Sequence, residues 1–219
     1  MLSNIIEIII LSIVQGISEF LPISSSAHLN IVQVIFEFNS NSLMIDVSLH
    51  LGSLLAIMFY FRRELLDLKK NQKLLFLVIT GTIPLVIAGY IISTTGLINL
   101  LEDNLKVIAW TTLIFGIILY LADKSKFDKK LSSNLNFKTI LYIGLFQILA
   151  LIPGVSRAGI TITAARIFRF NRFDSSKISF LFSYFTVKFF LEYINKFSLN
   201  VFVIYRIIIS IILFVIIYN

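Results

Sequence analysis

The sequence predicts an all-α polytopic membrane protein. It is expected to form an inverted repeat with two re-entrant broken helices and about five full transmembrane helices. Three observations lead there. The 219 residues are 58% hydrophobic with a mean hydropathy of +0.92, which excludes a soluble domain. Two half-length apolar runs, at 5–14 and 139–152, each break at a polar turn holding proline and serine. Three longer apolar runs separate the two breaks, and an odd number of crossings inverts the second copy.

Residues 5–14 are apolar except for Glu7, an interface residue near the helix start. At about 1.5 Å per residue this run is too short to cross a hydrocarbon core of about 30 Å. It breaks at QGISEFLPISSSAHLN, residues 15–30. Irregular backbone at membrane depth survives only where protein or a wet cavity covers it. Ionisable groups placed there are costly, so they become candidates for function.

Residues 43–61 form the first full span, with Asp46 and His50 one turn apart on one face. These two read equally as support for a site and as plain helix polarity. Residues 74–92 form a second span, kinked at Pro84, and 105–122 a third. The loops at 62–73 and 123–138 are rich in Lys and Arg, whereas 93–104 carries Glu102 and Asp103. Positive-inside counting makes the first two cytoplasmic and the third external. The net charge of +7 is thus a topology signal and not a nucleic-acid footprint. No Lys or Arg precedes Arg62, so no cleavable signal peptide is expected. The absence of cysteine excludes disulfides and thiolate metal sites.

The second break is PGVSRAG, residues 153–159, followed by a half-helix at about 160–168. Arg166, Arg169 and Arg172 mark its return to the cytoplasmic side. Pro22 and Ser25 stand at the spacing of Pro153 and Ser156, and Asp46 is echoed by Asp174. The single domain, 1–219, therefore divides into repeats of about 1–122 and 138–219. The second is one span short, offering only 177–196, with Lys188 inside it, and 201–218. Lys188 and Arg206 are expected to snorkel or pair.

Glu19, Ser25 and His28 combine a base, a hydroxyl and an imidazole. Ser24 suits an N-cap, and the opening amides of the helix after it favour phosphate. The second turn adds Gly154, Ser156, Arg157 and Gly159, with glycines permitting close backbone approach and Arg a bidentate grip. Such parts suit phosphoryl transfer, with a serine nucleophile beside a base. The bland alternative is a hydrogen-bonded histidine, packing serines and an Arg157 paired structurally with Glu19. Collection of all these groups at two breaks favours function.

At these turns the chain resembles the undecaprenyl-diphosphatase family, the bacitracin-resistance phosphatases of bacterial membranes. QGISEFLPISSSAH and PGVSRAGIT match its paired motifs, DVSLHLGSLLA its stretch after the first, and FVIYRI its closing helix. The resemblance implies removal of the terminal phosphate of undecaprenyl diphosphate, recycling the lipid carrier for peptidoglycan. It implies Glu19, Ser25, His28 and Arg157 as catalytic, with Gln15, Ser24, Ser26, Gly154, Ser156 and Thr161 binding substrate. It further implies a divalent cation, Mg or Ca, with Glu19 as ligand, and a site open to the periplasmic side of the inner membrane. A homodimer is the oligomeric expectation. Ser25 is expected to attack with His28 as base, His28 itself being the alternative nucleophile.

Three departures from the pattern stand out: Ala27 for glycine, Ala158 for serine, and a missing stretch between Phe182 and Ser183. That gap would put the C-terminus on the cytoplasmic side. A transporter built on the same inverted layout, or a shortened lipid-binding paralogue, is the alternative to an enzyme.

Overall fold

The computed structural model describes residues 2–19, 21–38, 43–60, 72–95, 104–130, 135–183 and 200–218. Their regular elements are helices, joined by turns and with one isolated bridge between Lys129 and Phe170. The expected acidic loop at 93–104 falls mostly outside them, as do the loop at 62–71 and Lys188 within 184–199.

Helix α1 spans Leu2–Ser18 and α2 spans Ser25–Ile35. Helix α3 spans Leu43–Tyr60, α4 Gln72–Thr95 and α5 Leu105–Asp123. Helix α6, Phe137–Gln147, runs on into a 3₁₀ turn at Ile148–Leu151. Then come α7 at Arg157–Ile167, α8 at Arg172–Ser183 and α9 at Asn200–Tyr218. Leu75–Thr95 and Leu105–Asp123 are long and apolar enough to cross a membrane, and Ile5–Ser18, Phe137–Leu151 and Val203–Tyr218 are shorter apolar stretches. Large apolar side chains such as Ile17, Val86, Leu121 and Ile211 face outward, as a lipid solvent allows.

Helix α1 is longer than the apolar run at 5–14 suggests. It carries on through Gln15 and Ser18 because their polar groups are met locally. Ser18 Oγ donates to the Val14 carbonyl at 2.6 Å and Gln15 Nε2 to Glu19 at 3.0 Å. At 17 residues α1 spans about 25 Å, still short of a hydrocarbon core of about 30 Å.

The two half-helices α2 and α7 share one build. Each has 11 residues and starts after a serine at positive φ, Ser24 at 70° and Ser156 at 63°. Each ends on a left-handed residue, Glu37 at 50° and Arg169 at 73°. Each end makes the same paired bonds, Phe38 N to Gln33 O with Glu37 N to Val34 O, and Phe170 N to Ala165 O with Arg169 N to Arg166 O. That is a Schellman termination in both helices. The structural counterpart of Ser156 is therefore Ser24, not the Ser25 suggested by counting from the prolines. Ser24 also departs from the expected capping role. Its hydroxyl lies 3.1 Å from Ser26 Oγ and makes no cap bond, whereas Ser156 Oγ accepts from Gly159 N at 3.1 Å.

Helix α5 organises the interior, with α9 and α7 packed against it. Its buried Ile108 and Ala109 meet Ala27, Ile31, Ile209 and Leu213, drawing α2 and α9 together. The far end of α7 is tied to the end of α5 by charge. Arg166 is buried, donating to the carbonyls of Asp123 at 2.6 Å and Phe170 at 2.7 Å, while Arg172 bonds the Asp123 carboxylate at 2.7 Å. Arg166 is thus an internal brace between the ends of α5 and α7. Asn171 opens α8 by accepting from Asp174 N at 2.7 Å and donating to its carboxylate at 2.9 Å. This reciprocal pair is why a first-turn aspartate stands there.

Helices α4 and α6 cross at glycines. A Cβ on Gly144 would collide with the backbone carbonyl of Gly81, which cannot swing aside. Gly144→Ala is expected to destabilise the fold by about 1–3 kcal/mol, through forced separation of the two helices. Gly52→Ala meets nothing within 4 Å and is expected to gain about 0.5–1 kcal/mol from helix propensity. Thermal unfolding in detergent checks both, in opposite directions.

Candidate active site

The breaks before α2 and α7 are stitched to one another. Gly154 N donates to Ser26 Oγ at 3.4 Å, and Ser156 Oγ to the Leu21 carbonyl at 3.4 Å. Helix α5 holds the second break from below, with Thr111 Oγ1 2.5 Å from the Pro153 carbonyl and Thr112 Oγ1 3.2 Å from that of Gly154. Gly154 sits at φ +87°, and a Cβ there would meet Ile108 and the two threonine hydroxyls. Only glycine fits both the conformation and the space.

Between the openings of α2 and α7 stands Glu19. Its Oε2 accepts from Ser25 Oγ at 2.6 Å and from Gln15 Nε2 at 3.0 Å. The same oxygen lies 3.5 Å from His50 Nε2, and Oε1 lies 3.8 Å from Arg157 Nη2. One carboxylate thus joins the first residue of α2 to the first residue of α7. The Glu19 side chain is 15% exposed and that of Arg157 45%, so the cation forms the open end. Gln15 is buried, and its Oε1 has no hydrogen-bond partner among the described residues.

His28 lies one turn into α2. Its Nδ1 is 2.6 Å from the Ser24 carbonyl, which can only accept, so Nδ1 carries the proton. Its Nε2 is 2.5 Å from the Tyr205 hydroxyl on α9, and the two rings lie nearly parallel with centroids 5.4 Å apart. The expected bond from Ser25 to His28 does not form, because the serine proton points to Glu19 and both imidazole nitrogens are engaged elsewhere.

Of the residues singled out in the sequence, Gln15, Glu19, Ser25 and Arg157 meet directly, and Ser24, Ser26, Gly154 and Ser156 hold the two turns together. Thr161 stands apart, fully buried, with its hydroxyl committed to the Arg157 carbonyl at 2.7 Å. The side chain of Asp46 lies outside the described residues. His50 turns out to touch Glu19. Two further residues, both within the FVIYRI stretch, carry weight, Tyr205 against His28 and Arg206 beneath both turns. Arg206 does not snorkel. It is fully buried, with Nε 3.1 Å from the Thr112 carbonyl and Nη2 3.1 Å from that of Gly154. Its neighbour Tyr205 is 36% exposed, and the signal available for both was their place in FVIYRI, the stretch matched to the family's closing helix.

Helices with outward apolar faces that, among the described residues, gather carboxylate, hydroxyl and guanidinium where α2 and α7 open define a membrane protein with a polar, charge-bearing site. Comparison with known proteins narrows this class. The model of the family described as bacitracin resistance protein BacA matches residues 8–183, and the chain belongs to that family. A protein of Pelagibacter ubique (strain HTCC1062) named undecaprenyl-diphosphatase is 78% identical over the whole of both chains. That alignment runs over 256 positions against 219 residues here, so at least 37 of its positions have no residue in this chain. Proteins of the same name from Alteromonas mediterranea and Elusimicrobium minutum are 42% and 35% identical. They align with 82% and 96% of this chain, and with 72% and 97% of their own.

Proposed function

We propose that this membrane enzyme hydrolyses undecaprenyl diphosphate to undecaprenyl phosphate and inorganic phosphate, recycling the lipid carrier for peptidoglycan synthesis. The observation that carries the reading is the Ser25–Glu19–Arg157 chain of contacts at 2.6 and 3.8 Å. It sets a hydroxyl, a proton acceptor and a phosphate-binding cation side by side.

Ser25 Oγ attacks the terminal phosphorus and its proton passes to Glu19. The bond from that phosphorus to the bridging oxygen breaks, and undecaprenyl phosphate leaves. Water then cleaves the phosphoserine, releasing phosphate and restoring the hydroxyl. Arg157 and the opening amides of α2 and α7 bear the developing charge. Engagement of both His28 nitrogens favours Ser25 over His28 as nucleophile.

Glu19 and the free Gln15 Oε1 are oxygen donors suited to a divalent cation. Among the described residues no group of three His, Cys, Asp or Glu could hold a metal alone. Mg or Ca would therefore share its coordination with the substrate, and when bound it would neutralise diphosphate charge. The matched lengths, starts and ends of α2 and α7 support an inverted repeat. With positive-inside counting they favour a site open to the periplasmic side.

The test is phosphate release from undecaprenyl diphosphate by detergent-purified protein, with and without chelator. Arg157→Ala is expected to lower release at least a hundredfold, mainly through loss of charge stabilisation. Release indifferent to Arg157 would overturn the site. Silence from well-folded protein that still moves the lipid across vesicles would favour a carrier.

A further inference from the structure

We infer that Tyr205 is a positioning residue for His28, and that its hydroxyl is the group through which the imidazole exchanges a proton with the phosphoryl oxygens. This rests on the phosphatase reading above. His28 Nδ1 is tied to the Ser24 carbonyl at 2.6 Å, which leaves Nε2 as the nitrogen free to gain or lose a proton. That nitrogen faces the Tyr205 hydroxyl at 2.5 Å. A side chain of α9 thus meets the imidazole that α2 carries one turn from Ser25.

The phenol is fixed in place. Arg206, the next residue along α9, is fully buried and bonded to carbonyls of both turns, so the backbone at Tyr205 cannot drift from the site. Its ring lies within 5° of parallel to the imidazole. The two held nitrogens define the plane and tautomer of His28. Tyr205 is also 36% exposed, and His28 is the more enclosed of the pair.

The proton balance is closed. His28 begins neutral, with its proton on Nδ1 and Nε2 accepting from the phenol, and undecaprenyl phosphate leaves as its anion. As water attacks the phosphoserine it gives a proton to Tyr205 Oη while the phenol proton moves to Nε2, and Glu19 returns its proton to Ser25 Oγ. The imidazolium then passes the Nε2 proton back through Tyr205 Oη to the released phosphate. The phenol ends as it began and His28 ends neutral. No oxidant, reductant or further reactant is needed.

Tyr205→Phe keeps the ring and removes the hydroxyl. In the full-length protein in detergent it is expected to lower kcat for phosphate release at least tenfold while KM changes less than threefold. Tyr218→Phe, on the same helix and well exposed, is the control expected to match the parent. A second readout needs no turnover: the ¹⁵N resonance of His28 Nε2 is expected to shift in Tyr205→Phe and stay put in Tyr218→Phe. An active parent with an equally active Tyr205→Phe, or an unshifted Nε2 resonance, overturns the inference. A parent that releases no phosphate overturns the phosphatase reading instead, and the resonance then still decides whether Tyr205 holds His28.

Discussion

Ser25→Ala and Glu19→Gln are each expected to lower phosphate release about a thousandfold, and the double variant to lose little more than either alone. The reason is the 2.6 Å bond between Ser25 Oγ and Glu19 Oε2. A neutral serine is a weak nucleophile, and it reacts only as its proton departs to a base within hydrogen-bond reach. Alanine removes the attacking oxygen. Glutamine keeps the size and a hydrogen bond but cannot take the proton, and it removes the charge that faces Arg157 at 3.8 Å. Each change disables the same step, so their effects do not add. KM is expected to move less than tenfold, because Arg157 and the helix-opening amides still grip the diphosphate. Steady-state release from the two single variants and the double variant checks this. Full activity in Ser25→Ala removes the serine from the role of nucleophile. Full activity in Glu19→Gln with a dead Ser25→Ala sends the proton to a base other than Glu19.

The parts of the fold that were legible in the sequence are those written locally. Helices α4 and α5 read as long apolar runs between charged loops, and the two breaks read as Pro-Ser turns that no lipid-facing helix would carry. The meeting of Glu19, Ser25 and Arg157 followed from placing those turns opposite one another. Errors came where a side chain changed what the backbone could do. Ser18 and Gln15 carried α1 past its apolar run, because their hydrogen bonds close within one turn of the helix. Counting from proline matched Ser25 to Ser156, whereas the positive φ values match Ser24 to Ser156. Conformation, not spacing, defines that equivalence. FVIYRI, which holds Tyr205 and Arg206, was matched to the family's closing helix, but the contacts of the two residues were unreadable for a different reason. Their partners His28 and Pro22 lie 177 and 184 residues away, and nothing in an apolar helix marks which polar side chain turns inward.

Arg206→Met is the substitution expected to cost the most stability, about 3 kcal/mol or more, although methionine is apolar and the site is buried. Four backbone carbonyls depend on the guanidinium. Thr112 and Gly154 accept at 3.1 Å, Val155 accepts from both Nη1 and Nη2 at 3.4 Å, and Pro22 accepts at 3.5 Å. Three of these, at Pro22, Gly154 and Val155, belong to broken turns, where no helix supplies the missing donor. Removing the donors leaves Gly154 with only its Thr112 Oγ1 contact at 3.2 Å and takes the guanidinium from Pro22 and Val155, at about 1–3 kcal/mol for each group left unmet in a low-dielectric interior. The interior is also shaped for this side chain. A Cβ on Gly159 would come within 2.9 Å of Arg206 Nη1, and one on Gly116 within 3.2 Å of its Cβ. Lysine offers one point of charge without the planar fork, so Arg206→Lys is expected to fall between parent and methionine variant. Thermal unfolding in detergent ranks the three, and amide exchange at 152–156 is expected to accelerate in the same order. An Arg206→Met protein as stable as the parent would mean that the turns hold themselves. The bonds from α9 would then be incidental to the site they underlie.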